Sequence, residues 1–245
     1  MLTRSDIVCD AEPFVTGDSR IEKVLRSVED ALPGTSVDHV ILSSRYKWER
    51  TSDRVRLVNE RAFDETSKDF LTTIFGNGKR NDDAVTVTLG RSSKGGVGRV
   101  RKTWTIRVSI SNEKESTVSR LPALLRAICE SADAINGWGG TFSSLAQFNS
   151  AANNSKRPIA ATMADGFRFD LPLSWLNYWS DAVAQSLNFP DPDLDACLGG
   201  LYANISDRGW VLRLTNELLD LRNPEHLKRL TWAYGRFGMT QPRLP

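Results

Sequence analysis

The sequence predicts an α+β fold, an antiparallel sheet with helices packed mainly on one face. Three observations carry that expectation. Val85, Val87 and Leu89 alternate with Thr86 and Thr88, and Trp104, Ile106, Val108 and Ile110 alternate across 103–111, so two strands flank one Gly-rich connection. Residues 19–32 and 118–135 repeat apolar side chains at helical spacing. The order strand–strand–helix then recurs over 200–237, which makes two such halves a candidate arrangement even without a residue-level repeat. Strands that follow one another directly pair antiparallel, because parallel pairing needs a long crossover between them.

Taken in order, residues 1–17 read as a loose leader and 18–245 as a single α+β domain. Ile21, Val24, Leu25, Val28 and Leu32 define the first helix, which Pro33-Gly34 ends. Short strands follow around 38–43 and 53–58, the second because Val55 and Leu57 alternate with Arg54 and Arg56. A helix is expected over 62–75, closed by Gly76-Asn77-Gly78. After the 84–111 hairpin, the helix over 118–135 places Leu121, Leu124, Leu125, Ile128, Ala132 and Ile135 on one face, with Pro122 tolerated in its first turn.

Gly137-Trp138-Gly139-Gly140 is expected to stop that helix, and a strand-like piece follows over 142–148. The Asn-, Ser- and Ala-rich stretch 149–166 reads as a loop or linker. Leu176, Trp179, Val183 and Leu187 suggest a helix over 172–187, and a strand is expected near 200–206. The segment Gly209–Leu227, GWVLRLTNELLDLRNPEHL, begins as a strand with inward Trp210, Leu212 and Leu214. It then opens a helix capped by Asn223, with Pro224 at the first position and Glu225 in the first turn.

Composition is that of a globular chain, with 40% hydrophobic and 25% charged residues. A net charge of +2 supplies no global field for nucleic acid or an anionic membrane. Cys9, Cys129 and Cys197 are odd in number and widely spaced, without a CxxC pair, so neither zinc nor a disulfide framework is expected. Cys129 falls on the apolar side of its helix, where a free thiol acts as a small hydrophobe. The opening MLTRSDIVCDAEPF lacks the apolar core of a signal peptide, and no run reaches the ~20 apolar residues of a membrane span. A cytoplasmic protein without cofactor is the expectation.

Several patterns bear on chemistry. Arg91 to Lys102 carries five basic residues and no acid around Gly95, Gly96 and Gly98, but neither GxxxxGK[ST] nor GxGxxG occurs, so a hairpin tip is favoured over a phosphate cradle. Those charges suit an acidic partner surface; nucleic acid is not expected without more interleaved aromatics. Asp191, Asp193 and Asp195 imitate the start of a calcium loop, but Ala196 and Tyr202 stand where Gly and Glu are needed, which leaves a solvated acidic loop able to meet a basic protein.

No Asp or Glu has Lys two positions later, against a restriction-type nuclease site, and GxSxG and HExxH are absent. His39 and His226 read as structural. Trp104, Trp179 and Trp210 fit inward positions and Trp175, Tyr178 and Trp232 lie off the main apolar rows, so any exposed one is a partner anchor. The partner-binding candidates are Asp191, Asp193, Asp195 and Trp232.

Three stretches together resemble the polymorphic-toxin immunity proteins of family 52: Leu121–Ile135 into Gly137-Trp138-Gly139-Gly140, Leu173-Ser174-Trp175-Leu176-Asn177-Tyr178-Trp179, and Gly209–Leu212 through Asn223–Leu227. The resemblance covers residues 84–238 and implies a non-enzymatic antitoxin. Its implied partner is a secreted effector with a restriction-endonuclease-like nuclease domain, of the kind delivered by type VI secretion. The residues leave two alternatives open, a divergent enzyme with a scattered site and a nucleic-acid binder that uses the basic hairpin.

Overall fold

The computed structural model describes residues 4–41, 48–57, 72–79, 84–96, 99–111, 115–141, 160–162, 168–170, 173–205 and 208–237. In chain order these form β1 (Arg4–Ala11), α1 (Arg20–Ala31), β2 (His39–Ile41), β3 (Trp48–Arg50), β4 (Thr72–Gly76), β5 (Val85–Gly96), β6 (Arg99–Ser111), α2 (Glu115–Val118), α3 (Leu121–Ala132) and β7 (Ala134–Thr141). Then follow β8 (Ala160–Thr162), β9 (Arg168–Asp170), β10 (Leu176–Ser180), α4 (Asp181–Ser186), a 3₁₀ turn (Ala196–Leu198), β11 (Tyr202–Ile205), β12 (Gly209–Arg213) and α5 (Pro224–Arg236). Ten strands make one antiparallel sheet in the order β11-β12-β10-β7-β1-β6-β5-β4-β2-β3, and β8 pairs with β9 alone.

Alternation along the strands decides what each sheet face carries. Ile7, Cys9 and Ala11 stand in register with Val108, Ile106 and Trp104, and Val87 and Leu89 with Val108 and Ile106. All are buried, under α1 through Ile21, Val24, Leu25 and Val28 and under α3 through Leu121, Leu124, Leu125 and Ile128. The opposite face of β1, β5 and β6 carries Asp6, Asp10, Thr86, Thr88, Thr105, Arg107 and Ser109. On β5 this is the division of a strand covered on one side, whereas β1 is buried on both faces from Ser5 to Ala11.

Towards β10 the sheet is covered on both sides. A Cβ on Gly137 would sit 2.9 Å from Cys129 Sγ, so that side of β7 faces α3, and Tyr178 is its partner in register. Trp179 therefore projects to the other side, where its ring meets Phe189 at 5.2 Å and, past the end of α5, Phe237 at 4.9 Å. Helices thus pack mainly on the α1–α3 face, and the end of α5 closes an aromatic cluster on the other.

The α+β antiparallel architecture matches expectation, as do the first helix, the 85–111 hairpin, the late strand pair and the cap of α5, where Asn223 Oδ1 accepts the Glu225 N–H at 3.0 Å. Other elements differ. The loose leader is incorrect for residues 4–11: they form the buried strand β1, paired with β6 on one side and β7 on the other. The strand expected over 53–58 begins instead as a helical turn over 54–57, because Asp53 Oδ1 caps it by accepting the Arg56 N–H at 2.9 Å.

Of the helix expected over 62–75, residues 72–75 belong to β4, and 62–71 lie outside the described residues, as do 142–148 and most of 149–166. The 118–135 helix stops at Asp133, whose left-handed backbone (φ 50°) caps α3, so Gly137–Gly140 is strand rather than helix stop. The 172–187 helix is strand β10 followed by α4. Leu176 to Trp179 are all buried, and burial on both faces removes the alternation that marks a strand.

Pairing also shows where the hairpin leaves the sheet. β4 accompanies β5 only as far as Gly90, and β1 accompanies β6 only as far as Trp104. Beyond those rungs, among the described residues, Arg91–Gly96 and Arg99–Thr103 are paired with each other alone.

A candidate partner-binding surface

The chain between α4 and β11 is shaped by its own carboxylates. Asp191 Oδ1 accepts the N–H groups of Asp193 and Leu194, both at 3.0 Å, which folds 191–194 into a tight side-chain-closed turn. The Leu194 bond foremost, then that from Asp193, with the Arg236 charge and an Asn188 side-chain bond, hold the Asp191 carboxyl below the usual carboxylate range. Asp193 and Leu194 are left exposed at the tip, Leu194 at 54%.

Asp195 departs from the solvated acidic loop expected of it. Its side chain is fully buried, with Oδ1 and Oδ2 accepting Arg236 Nε at 2.8 Å and Nη2 at 3.1 Å, and Oδ2 also accepting the Asp191 N–H at 2.7 Å. Arg236 further donates to the carbonyls of Asn188 and Leu187. Asp195 is thus the bolt that fixes the loop to α5, out of reach of a partner. Of the three aspartates Asp193 is the exposed one and Asp191 is partly covered.

Two residues past Asp195, Cys197 enters the wall of a groove of about 630 Å³. Leu201, Leu214 and Trp232 give it apolar surface; Glu217, Lys228 and Arg229 give its polar rim. Trp232 is half-buried, its ring 6.2 Å from Phe237 and 5.9 Å from the Arg229 guanidinium. Arg229 reaches across to the Cys197 carbonyl, as Arg236 does to Asp195 seven residues later. The acidic turn and the groove are one continuous surface because these two arginines of α5 hold the same loop.

The other aromatic candidates fall away from this surface. Trp104, Trp175, Tyr178 and Trp179 are buried, and Trp175 Nε1 donates to the Thr215 carbonyl at 3.0 Å. Burial raises the Tyr178 phenol, and burial alone raises Tyr234 to about 12. Trp210 is half-buried against Phe189 and Tyr202. His226 Nδ1 accepts the Asp220 N–H at 3.0 Å, and His39 Nδ1 pairs with Asp38 at 2.7 Å, so both histidines hold local backbone or charge.

Among the described residues no three His, Cys, Asp or Glu converge as a metal set, and no helix is long and apolar enough to cross a membrane. Sequence reasoning missed Leu194, Arg229 and Arg236. The seven-residue spacing of the two arginines was the available signal, since it puts them on one helix face.

Residues 16–243 match the family model described as DUF5953, a domain of unknown function. The chain belongs to that family. No curated protein matches it. Among solved structures it is similar to the Pseudomonas aeruginosa T6SS protein PA0821, with a TM-score of 0.58 and 12% identity over 96% of this chain and 72% of that one. At that identity the likeness is one of fold.

Proposed function

We propose that this DUF5953 protein is an immunity protein, a non-enzymatic antitoxin that binds a cognate secreted nuclease effector in the cytoplasm of the producing bacterium. The observation that carries the reading is the fold shared, over 96% of the chain, with a protein of type VI secretion. The resemblance of Leu121–Gly140, Leu173–Trp179 and Gly209–Leu227 to immunity family 52 supports it from the sequence side.

The contact is assigned to the groove beside α5 and the adjoining turn. A specific complex buries about 1,600 Å² in total, so the groove is its centre and the surrounding loops its rim. Trp232 is the aromatic anchor. Asp191 and Asp193 steer the basic substrate cleft of a nuclease towards it, an effect that acts mainly on association rate.

Co-expression with the effector gene adjacent to its own tests the reading. Growth should be restored and the two proteins should co-purify; failure against every adjacent effector refutes it.

A further inference from the structure

His226 lines the groove from the first turn of α5 and is half-buried there. The Asp220 N–H donates to its Nδ1 at 3.0 Å. A backbone N–H can only donate, so Nδ1 carries a lone pair at this contact and the ring proton sits on Nε2. An imidazolium has a proton on both nitrogens and no lone pair to offer. The bond therefore exists only while His226 is neutral.

That bond closes a short chain of contacts. The Asp220 carbonyl accepts the Asn223 N–H at 3.0 Å, and Asn223 Oδ1 accepts the Glu225 N–H that begins α5. Asp220 thus positions the cap residue, and His226 positions Asp220. The segment from β12 and the start of α5 both line the groove, through Thr215, Asn216 and Glu217 on one and through Asn223, Glu225 and His226 on the other. Leu219 and Leu221 are buried on either side of Asp220, so loss of the bond frees the Asp220 peptide rather than the whole segment.

The charges around the ring pull in two directions. Lys228, Arg229 and the positive end of the α5 dipole oppose a second ring proton, while Glu217, Glu225 and the Asp220 carboxylate favour it. The thiol of Cys197 is the other titratable group lining the groove. Arg222 foremost, through bonds of 3.1 and 3.3 Å, and the His226 charge more weakly hold the Asp220 carboxyl below the usual carboxylate range. It stays ionised wherever an imidazole titrates. Asp220 therefore offers His226 two exclusive partners, its N–H to the neutral ring and its carboxylate to the charged one.

We infer that His226 is a proton-operated clasp on the groove: neutral, it fastens Asp220 and holds the surface that takes the effector; protonated, it exchanges the N–H for the carboxylate and loosens that surface. The clasp is closed at neutral pH and opens as pH falls through the ordinary imidazole range. Its effect on the effector rests on the function proposed above; the clasp itself rests on the His226–Asp220 geometry.

Nitrogen-15 NMR of the full chain tests it. At about pH 7.5 the His226 ring should show a protonated Nε2 and a bare Nδ1, with the Asp220 amide protected from hydrogen exchange. At about pH 5.5 both ring nitrogens should be protonated, and Asp220 exchange, corrected for its intrinsic rate, should be about fivefold faster, the size of one intramolecular hydrogen bond. In H226N, Oδ1 takes the place of Nδ1 without titrating, so the Asp220 amide should change by less than about twofold. Calorimetric titration with the adjacent effector should show wild-type affinity falling about fivefold more than that of H226N over the same range, a comparison that cancels the effector's own titration.

A proton on Nδ1 rather than Nε2 at neutral pH, or an Asp220 amide that exchanges alike at both pH values, would each overturn the clasp. Equal pH dependence of effector binding in wild type and H226N would remove its hold on the binding surface. If no adjacent effector binds the wild type at either pH, the effector reading fails, and the ring and amide signals still decide the clasp.

Discussion

Asp195 and Arg236 give the sharpest test of which carboxylates are structural. Their side chains are 0% and 8% exposed and joined by two charge-assisted bonds of 2.8 and 3.1 Å. Removing one partner of a buried pair costs about 3–5 kcal/mol, because the other charge is left uncompensated. The two deletions are not equivalent. After Asp195→Ala, the Arg236 guanidinium still donates to the Leu187 and Asn188 carbonyls, which argues for the lower end, about 3 kcal/mol.

After Arg236→Ala, Asp195 keeps only the Asp191 N–H among these partners, which argues for the upper end, about 5 kcal/mol. Urea unfolding of both variants and of an apolar double replacement, D195L/R236M, measures the ordering. The double variant should lie closer to wild type than either single variant, since it leaves no buried charge. A cost below about 1 kcal/mol for Asp195→Ala, the range of exposed pairs, would refute the buried-bolt account and return Asp195 to the surface.

Three further outcomes are expected. Gly209→Ala should destabilise by about 3 kcal/mol in thermal or urea unfolding, because its Cβ would lie 2.3 Å from the Trp179 carbonyl oxygen and must force β12 from β10; an unchanged midpoint would contradict the close pairing. Burial would raise the Glu22 carboxyl, but hydrogen bonds from Arg54 and then Arg26 outweigh it and leave it lowered, so its stabilisation is present above pH 4.5 and lost as pH falls through the folded value. Wild type should therefore lose more melting temperature than E22Q between pH 5 and pH 3, and equal losses would remove the ion pair from the account. Trp232→Ala should weaken the effector complex at least tenfold through dissociation, whereas Asp193→Ala should mainly slow association at low salt; surface-binding kinetics separate the two, and normal kinetics in both would move the interface elsewhere.

Elements buried on one side were legible from sequence, because there periodicity and burial coincide: α1, α3 and the 85–111 hairpin all show it. β1 was hidden for the opposite reason. Residues 1–17 read as a loose leader, yet Asp6 and Asp10 within them are buried against partners about a hundred residues away, Ser109 and Thr105. Gly137 was legible as a glycine but not as a packing residue. Its missing side chain lets α3 settle onto β7, with Cys129 Sγ, Cys9 Cβ and Leu125 Cδ1 all within 3.3 Å of where a Cβ would stand. The run Asp191-Pro192-Asp193-Leu194-Asp195 announced a charged loop, but which carboxylate turns inward was decided by Arg236, 41 residues on.

The same locality limits what net charge says about partners. A value of +2 supplies no global field for nucleic acid or an anionic membrane. The basic hairpin, however, lies on β5 and β6, and the acidic turn and groove lie beyond β12. From β12 to β6 the sheet order takes four steps, about 19 Å at the usual strand spacing. The hairpin also leaves the Gly209 end of the strands, whereas the groove opens at the Leu214 end. At physiological salt, screening acts over about 8 Å, so exposed patches this far apart do not cancel for an approaching macromolecule even though they cancel in the sum. Each presents its own field. The groove sets aspartate beside an aromatic anchor, whereas the sequence of the hairpin, Arg91 to Lys102, carries five basic residues and no acid. A variant that alters one patch should therefore leave binding at the other unchanged.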